Sequence, residues 1–458
     1  MPRRQSGMSI VKTIKYCLWG LLLSLSGLWL LADTLLPQPF TYFALRAQLM
    51  QYTGVLAIGA MSAAILLAAR PQWLEPHLHG LDKMYRLHKW LGIGALVVSV
   101  VHWWWAQGTK WMVGWGWLTR PLRRRAGPGG PPQDVLEAWL RGQRGLAESL
   151  GEWAFYAAAA LIALALIKRF PYHLFVKTHK LLAVTYLLLA YHSLVLFKFG
   201  YWSQPVGWAM ALLLFAGSAA ALLVLAGRVG AGRKVRGVVE SLCQYPELQV
   251  LETAIQLQPG WRGHKAGQFA FVTSHRDEGA HPYTIASAWN PATRRIVFIT
   301  KALGDHTSQL PKLLQTGTPV TVEGPYGCFD FDDRKPRQIW IGAGIGITPF
   351  ISRMQQLAQA GGAAAGQIDL FHPTAEFSQA AIDKLSADAR AANVRLHILV
   401  SGKDGRLDGA QIRTAVPDWQ AASVWFCGPP AFGRALSRDL VAHGLAERHF
   451  HQELFQMR

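Results

Sequence analysis

Two pairs of histidines within apolar segments are the residues of this chain most able to do chemistry. His88 and His102 stand 14 positions apart in the third long apolar segment, and His179 and His192 stand 13 positions apart in the fifth. Ionisable residues inside membrane-spanning helices are rare and usually functional. If the third and fifth segments run in the same direction, His88 lies level with His179 and His102 with His192. Two facing neutral imidazoles can ligate one haem iron, so the spacing predicts two stacked haems.

The two spacings are not equivalent on an ideal helix. Fourteen positions return a side chain to about the same face, roughly 21 Å along the axis, whereas 13 positions turn it about 140° away. Either the helix that carries His179 and His192 is distorted between them, or the two haems approach it from different sides. For any single histidine, a helix end at the membrane interface is an equal alternative, because the polar tip can reach water there. Four histidines in two level pairs favour ligands.

Six apolar segments must position these histidines. They cover roughly residues 14–31, 50–69, 87–105, 153–167, 181–196 and 208–225. Each approaches the ~20 residues that a helix needs to span a bilayer. A signal peptide is an alternative for the first segment, but five further segments favour a retained helix. With 458 residues, 51% of them hydrophobic, the chain is too long for one domain, and charge and turn residues concentrate in its second half.

The net charge of +19 does not predict nucleic-acid binding. Lysine and arginine are concentrated in the N-terminal tail, the second and fourth connections and the segment after the sixth apolar run. This is the positive-inside pattern of a protein in a lipid membrane, with both termini cytoplasmic. One outer loop, residues 106–152, is also basic and argues the other way. The four cysteines form no CxxC pair, so the sequence indicates neither a zinc site nor a disulfide framework.

The second half of the chain begins with a predicted flavin module. Short β-rich runs between turns, from about residue 234 to 333, predict a small antiparallel barrel. Within it lies HPYTIAS, residues 281–287. Tyr283 can lie against a flavin ring, the Thr284 hydroxyl can hydrogen-bond the polar edge of that ring, and His281 can offer a positive or donor group to a pyrophosphate. Taken alone, the heptapeptide is also compatible with an ordinary strand.

A nucleotide module follows it. RQIWIGAGIGITPF, residues 337–350, predicts a buried strand, a glycine-rich turn and a helix start. Gly342, Gly344 and Gly346 let backbone N–H groups approach a pyrophosphate. Thr348 suits the N-cap and Pro349 the first helical position. The strands and helices that alternate after this turn predict a parallel sheet with crossover helices.

Two further stretches bear on the nicotinamide. The strand SVWFCGPP, residues 423–430, ends where ligands of open α/β sheets collect, although Cys427 alone could be a small buried core residue. The second sheet strand is followed by HPTAEFSQ, residues 372–379, which lacks the arginine that usually meets the 2′-phosphate of NADP. Lys403 and Arg406 could substitute for it. The sequence therefore leaves NADH and NADPH both open.

These motifs, in this order, resemble the transmembrane ferric reductase and NADPH oxidase family, in the form of a bacterial ferric reductase-like protein with ferredoxin-reductase-type FAD and NAD(P)-binding domains. The resemblance runs from about residue 50 to the C-terminus. It implies a multi-domain chain with a six-helix transmembrane haem-binding bundle, an antiparallel β-barrel FAD domain and an α/β nucleotide-binding domain at residues 1–230, 231–333 and 334–458. It also implies two b-type haems, the inner on His88 and His179 and the outer on His102 and His192.

The resemblance assigns the remaining site residues as well. Those implied for FAD and NAD(P)H binding are His281, Pro282, Tyr283, Thr284, Ser287, Lys301, Gly304, Gly342, Gly344, Gly346, Thr348, Cys427, Gly428 and Pro429. Those implied at the hydride-transfer centre are Thr284, Cys427, Glu453 and Phe455. The last two depart from the family pattern, because three residues follow the aromatic.

The implied function is transmembrane electron transfer in a bacterial-type inner membrane, with the FAD and NAD(P) domains cytoplasmic. NAD(P)H would reduce FAD, and electrons would pass through both haems to ferric iron or O₂, giving superoxide in the latter case. No protein partner is required. A membrane subunit that delivers electrons to a periplasmic partner is the alternative, and a non-enzymatic haem carrier or sensor is less favoured. The basic stretch 118–125 either faces solvent and lipid headgroups or attracts anionic ferric chelates.

Overall fold

The computed structural model describes residues 10–119, 135–167, 169–275, 278–333, 335–361 and 366–453. The chain forms two compact units. The helical unit comprises Val11–Leu74 and Met84–Val229. The sheet unit comprises Gly230–Met457 together with Glu75–Lys83, a short segment that comes from between two long helices. This assignment of residues 75–83 was not predicted from the sequence.

Long helices account for every apolar segment predicted from the sequence. In chain order the helices are α1 (Ile10–Ala32), α2 (Tyr42–Ala68), α3 (Leu81–Gly114), α4 (Val135–Gly142), α5 (Arg144–Leu166), α6 (Tyr172–Leu196) and α7 (Pro205–Leu225). Among the described residues, five of them are long and apolar enough to cross a membrane: α1, α2, α5, α6 and α7. Helix α3 is not in this set, because its histidines and tryptophans lower its mean hydropathy. A count of six spans therefore stays a prediction.

The helical unit is apolar both inside and outside. Its buried cluster includes Trp29 of α1, Val55 of α2 and Tyr186 of α6, and the Tyr186 hydroxyl finds a partner in the Ser62 hydroxyl at 2.8 Å. Large apolar side chains are also exposed on the outer face, such as Phe215 of α7, which is 76% exposed. A helix that is apolar all round is typical of a membrane span. The packing therefore agrees with a bundle that faces lipid.

The first part of the sheet unit is an antiparallel sheet. It is built from β1 (Lys234–Tyr245), β2 (Val250–Leu257), β3 (Phe269–Thr273), β4 (His281–Thr284), β5 (Arg295–Lys301) and β6 (Pro319–Tyr326), with α8 (Asp305–Leu313) between the last two strands. The strand order is β4-β3-β6-β1-β2-β5. A single bridge between Ile285 and Phe298 joins the chain just after β4 to β5, the opposite edge of the sheet. The edges thus approach each other, and full closure into a barrel stays a prediction.

The second part is the predicted parallel sheet with crossover helices. Its strands are β7 (Arg337–Gly342), β8 (Gln367–Thr374), β9 (Arg395–Val400), β10 (Ser423–Cys427) and β11 (Phe450–Gln452). Its helices are α9 (Thr348–Gln359), α10 (Gln379–Ala391), α11 (Ser401–Asp404), α12 (Gly409–Ala415) and α13 (Pro430–Ala442). The strand order β11-β10-β7-β8-β9 reverses direction between β7 and β10. Ligands of open α/β sheets bind beside the carboxyl ends of the strands at such a reversal.

An aromatic cluster stabilises the parallel sheet. Phe350 of α9 is fully buried, with its ring centroid 5.6 Å from Trp340, 5.7 Å from Phe331 and 6.0 Å from Phe329. Phe329 and Phe331 follow β6, so the cluster also joins the antiparallel part to the parallel part. Aromatic pairs at these distances stabilise beyond their buried area.

Replacing Phe350 with Ala should lower the stability of the sheet unit by about 3–5 kcal/mol, since a large buried ring would leave a cavity. Limited proteolysis of the full chain across a urea series would measure the change. The matched control is Phe377→Ala, because Phe377 is 45% exposed and its loss leaves no cavity. Equal urea midpoints for the two variants would contradict the role given to the cluster.

Candidate haem ligands and hydride-transfer centre

The structure brings the four predicted histidines together in two pairs. The ring centroids of His88 and His179 lie 5.9 Å apart, with the ring planes at 68°. Those of His102 and His192 lie 6.3 Å apart, with the planes at 83°. The pairs are the two that a parallel arrangement of α3 and α6 predicts. Their role as haem ligands remains a prediction.

Hydrogen bonds at Nδ1 fix the tautomer of two of these rings. The Nδ1 of His88 lies 2.8 Å from the carbonyl oxygen of Ala64, and the Nδ1 of His192 lies 2.8 Å from that of Ala147. A carbonyl oxygen only accepts, so each Nδ1 carries the proton and donates it. The lone pair is then on Nε2. This is how metal-ligating histidines are usually oriented.

The other two histidines differ in their surroundings. The Nδ1 of His102 lies 3.0 Å from the Thr53 hydroxyl, which donates its own proton to the Leu49 carbonyl at 2.6 Å. That hydroxyl therefore accepts from His102, which gives the same tautomer as before. The Nδ1 of His179 is buried with no hydrogen-bond partner among the described residues, and the ring stacks on Phe175 with centroids 5.0 Å apart. Three of the four rings thus present Nε2 as a donor atom for iron, so the donor set fits haem.

Glycines let two of these rings lie directly against a neighbouring helix. A Cβ on Gly151 of α5 would lie 2.0 Å from the Nδ1 of His192, and one on Gly54 of α2 would lie 3.5 Å from the Cε1 of His102. The closest helix pairs in the described bundle include α2 with α7 and α5 with α6. Helices α3 and α6 meet through the rings of the two histidine pairs.

The 13-residue spacing lies within an uninterrupted α6. Residues 172–196 form one continuous α-helix, with no break between His179 and His192. On an ideal helix, side chains at this spacing leave in directions about 140° apart. The continuous helix agrees with two haems that approach α6 from different sides, which stays a prediction.

Strand β4 carries the predicted flavin motif. Thr284 pairs with Phe269 across the sheet, Pro282 pairs with Phe271, and the Tyr283 ring packs 6.2 Å from the ring of Phe298. The His281 ring stacks on His306, with centroids 3.8 Å apart and planes at 5°. Burial and the neighbouring His306 lower the pKa of His281 to about 4.

This shift bears on what His281 can do. It favours the neutral imidazole, which can offer a pyrophosphate a hydrogen-bond donor. Glu278, His281 and His306 also place their ligand atoms within 4.8 Å of one another, and they are a possible metal-binding group within the described residues. The parallel stack of the two rings suits a planar contact better than convergent ligation of one ion.

Ser287, Lys301 and Gly304, also implied for FAD, have structural roles within the protein. The Ser287 hydroxyl accepts from the backbone N–H of Val297 at 3.0 Å, and its carbonyl accepts from the Ser352 hydroxyl at 2.8 Å. Lys301 donates to the carboxylate of Glu376. Gly304 is the N-cap of α8. Ser287 therefore ties β5 and α9 to the flavin motif, whatever else it contacts.

The glycine-rich turn lies beside the strand that carries Cys427. Gly342 ends β7 and pairs with Cys427 at the end of β10, at the point where the strand order reverses. A Cβ on Gly346 would lie 2.2 Å from the carbonyl oxygen of Cys427, so only glycine fits there. Gly344 has a φ of 55° and faces open space, whereas a Cβ on Gly428 would lie 2.7 Å from that of Ala343. The turn thus lies in direct contact with the Cys-Gly-Pro element, which ends in Pro429 as N-cap of α13.

The predicted cap of α9 is wrong by one position. Thr348 is the first helical residue and Pro349 the second, and the N-cap is Ile347. The reason is a short 3₁₀ turn, Gly344–Ile347, which already gives Ile347 helical dihedral angles. The buried Thr348 hydroxyl accordingly donates to the carbonyl of Ile345 at 2.8 Å and does not cap the helix.

Glu453 lies between the loop after β6 and the end of β10. Its carboxyl group is buried, its backbone N–H donates to the Phe426 carbonyl at 3.4 Å, and a Cβ on Gly327 would lie 3.5 Å from its Oε1. Burial, with a smaller contribution from Glu453, raises the pKa of the Cys427 thiol well above its usual value. That thiol is therefore neutral. Phe455 lies outside the described residues, as does nearly all of the basic stretch 118–125.

Sequence reasoning missed the residues of the segment 75–83. Glu75, Asp82 and Lys83 are buried in the sheet unit. Charged residues in a short connection ordinarily face water, so the sequence carries no signal of their burial.

Two segments of the chain, one in each half, match known families. Residues 53–190 match the family described as "Ferric reductase like transmembrane component", and residues 241–329 match an FAD-binding domain. The chain thus joins a ferric reductase-like transmembrane component to an FAD-binding domain. These matches confirm the resemblance inferred from the histidine and flavin motifs.

Curated relatives resemble this ferric reductase-like chain over part of its length. An "NADPH oxidoreductase" of Mycobacterium tuberculosis is 26% identical over 51% of the chain and 63% of its own length. A "Glycine betaine monooxygenase reductase subunit" of Chromohalobacter salexigens is 28% identical over 42% and 56%. "Respiratory burst oxidase homolog protein E" of Arabidopsis thaliana is 30% identical over 39% and 21%. The chain therefore spans less than two thirds of each of these relatives.

Replacing Gly151 with Ala should displace His192, because the added Cβ would overlap its ring. We expect the haem content to fall from about two per chain to about one if each histidine pair holds one haem. A haem assay on the purified protein, normalised to protein concentration, would measure it. Gly145→Ala on the same helix is the control, since its Cβ meets nothing within 4 Å. Unchanged haem content in both variants would argue against His192 as a ligand.

Proposed function

We propose that this protein transfers electrons from cytoplasmic NAD(P)H, through FAD and two b-type haems, to ferric iron or O₂ on the other side of the membrane. The observation that carries the proposal is two facing histidine pairs, in which three of the four rings donate through Nδ1 and leave Nε2 available, on the same chain as an FAD-binding domain. Six membrane spans, a barrel-like flavin module, both termini in the cytoplasm and a bacterial inner membrane are parts of the same proposal.

The residues divide the work as follows. Backbone N–H groups of the turn from Gly342 to Gly346 bind the pyrophosphate of NAD(P)H. Tyr283 and Thr284 hold the flavin against β4. The flavin, when bound, accepts two electrons as a hydride and releases them singly. His88 and His179 hold the inner haem, and the outer pair holds the second.

The ligation also bears on the acceptor. Each haem would be held by two histidines of this chain and would supply one-electron transfer. With two protein ligands on each haem, O₂ or a ferric chelate would be reduced without binding iron. This is compatible with either acceptor.

A second candidate is a membrane subunit that delivers electrons to a periplasmic redox protein. What favours it is the relative named as the reductase subunit of a monooxygenase, a name that describes a supplier of electrons to another chain. Lack of turnover on soluble acceptors, restored by a periplasmic extract, would support it over the first candidate.

Anaerobic mixing of the purified protein with FAD and NADH or NADPH should reduce the haems, seen as a shift of the Soret band. Ferric citrate or air, admitted separately, should then reoxidise them, with superoxide dismutase to detect superoxide. His102→Ala/His192→Ala, which keeps the inner pair, should still accept electrons but lose acceptor reduction by at least about tenfold, since it lacks the outer ligands. Absence of any NAD(P)H-dependent haem reduction would refute the proposal.

The nucleotide preference should be for NADH. Glu376 follows β8, the second strand of the parallel sheet, where an acidic residue bonds a ribose 2′-hydroxyl and an arginine accommodates a 2′-phosphate. Glu376 is half-buried, and repulsion of a phosphate by a carboxylate at about 4 Å in water is worth about 1 kcal/mol, or roughly fivefold in kcat/KM. Glu376→Gln should therefore raise kcat/KM for NADPH relative to NADH.

Glu247→Gln is the matched control for this charge change, because Glu247 is an exposed glutamate elsewhere in the sheet unit. Since Glu376 also accepts from Lys301, the FAD content of each variant must be measured and the rates normalised to it. A wild-type preference for NADPH would contradict the expectation.

A further inference from the structure

A buried ion pair lies at the start of α3. The Nζ of Lys83 is 2.9 Å from the Oδ2 of Asp82, and the two side chains are only 6% and 1% exposed. Both residues belong to the sheet unit, although α3 continues from Met84 in the helical unit. Removing two charges from water is costly, so a buried pair is weak evidence for stability alone. Its place next to a candidate reaction centre offers another reason for it.

The segment that carries this pair is bound to the loop after β6. The Oε1 of Glu75 accepts from the backbone N–H of Gly327 at 2.7 Å, and its Oε2 lies 3.5 Å from the guanidinium of Arg233. A Cβ on Gly80 would lie 3.5 Å from the backbone nitrogen of Cys328. The same position is 3.8 Å from the Nζ of Lys83. Lys83 therefore lies beside the dipeptide of residues 327 and 328.

Glu453 contacts the same dipeptide. A Cβ on Gly327 would be 3.5 Å from its Oε1, and its Oε2 is buried with no hydrogen-bond partner among the described residues. Burial raises the pKa of Glu453 well above its usual value, Asp82 raises it further, and Lys83 opposes both effects. The charges of the pair thus act on a carboxyl group that lies between the loop after β6 and the end of β10.

We propose that Lys83 and Asp82 are positioning residues that control the charge of Glu453, and through it the rate of hydride transfer. The inference rests on the proposed function and adds a residue pair to it from outside the nucleotide-binding sequences. When a hydride leaves NAD(P)H, positive charge develops on the nicotinamide ring. An ionised Glu453 near that ring stabilises this charge, whereas a protonated Glu453 does not. Hydride transfer therefore accelerates as Glu453 loses its proton.

The two thiols near Glu453 do not share its range. Burial, with a smaller contribution from Glu453, raises the pKa of Cys427 on β10 well above its usual value. Burial, together with Glu75, raises the pKa of Cys328, in the loop after β6, to about 12. His451, which lies on β11 shortly before Glu453 and 3.7 Å from Asp333, is a further titratable neighbour. An inflection in the rate of hydride transfer that Glu453→Gln abolishes can thus be assigned to Glu453.

The two charges predict opposite shifts of this inflection. Lys83→Met removes the positive charge and should move it up by about 1–3 pH units, while Asp82→Asn should move it down by a similar amount. Stopped-flow flavin reduction across pH in the full-length protein would measure both. Lys83→Arg keeps the positive charge and should leave the inflection at its wild-type pH. Lys89→Met, which removes an exposed lysine further along α3, should leave it unchanged.

A second readout needs no turnover. The infrared band of the protonated Glu453 carboxyl, identified by its absence in Glu453→Gln, can be titrated in protein without nicotinamide. The pH at which this band disappears should shift in the variants in the same direction as the kinetic inflection. Because this titration needs no electron transfer, it distinguishes failure of this inference from failure of the proposed function. If Lys83→Met fails to fold, Asp82→Asn and the double variant Asp82→Asn/Lys83→Met still test the proposal. Identical inflections in Asp82→Asn, Lys83→Met and wild type would overturn the proposal.

Discussion

The hydrogen bond from a histidine Nδ1 to a helix carbonyl, inside an apolar bundle, is the interaction on which the helical unit depends. In such surroundings an unpaired imidazole N–H costs free energy, so its partner is built into the neighbouring helix: Ala64 on α2 for His88 and Ala147 on α5 for His192. The partner helix thereby sets which nitrogen is free. Helices α2 and α5 carry no candidate ligand themselves, yet they determine what α3 and α6 can bind. Gly151 belongs to the same arrangement, because any side chain there would displace the ring.

In the sheet unit, two backbone segments lie in direct contact because glycines leave room for them. Gly346 and Gly428 bring the glycine-rich turn and the Cys-Gly-Pro element within contact of each other, and Ser287 links the flavin motif to α9 through its carbonyl and to β5 through its hydroxyl. Residues that follow strands of the two sheets are thus held in contact. The aromatic cluster of Phe329, Phe331 and Phe350 is a second contact between the sheets. Neither sheet could be moved without disturbing the other.

Much of this could be predicted from the sequence because periodic patterns and motifs are local. The apolar segments, the pairing of His88 with His179 and of His102 with His192, and the order of the two sheets all follow from spacing. The Nδ1 partners could not be predicted, since Ala64 and Ala147 act through carbonyl groups that every residue has. The N-cap of α9 was misplaced because a preceding 3₁₀ turn is not visible in residue types. Lys83 and Asp82 resembled an ordinary solvated connection, and only tertiary structure reveals that they are buried.

The sheet unit is discontinuous along the chain, since residues 75–83 are made long before residue 230. During translation, these nine residues are therefore made before most of α3 and all of α4 to α7, and they can join the rest of the sheet unit only afterwards. A fragment that begins at residue 230 would lack them, and the amide of Gly327 would lose its acceptor on Glu75. The sheet unit is consequently not a module that can be cut away at residue 230. Part of it is encoded among the helices.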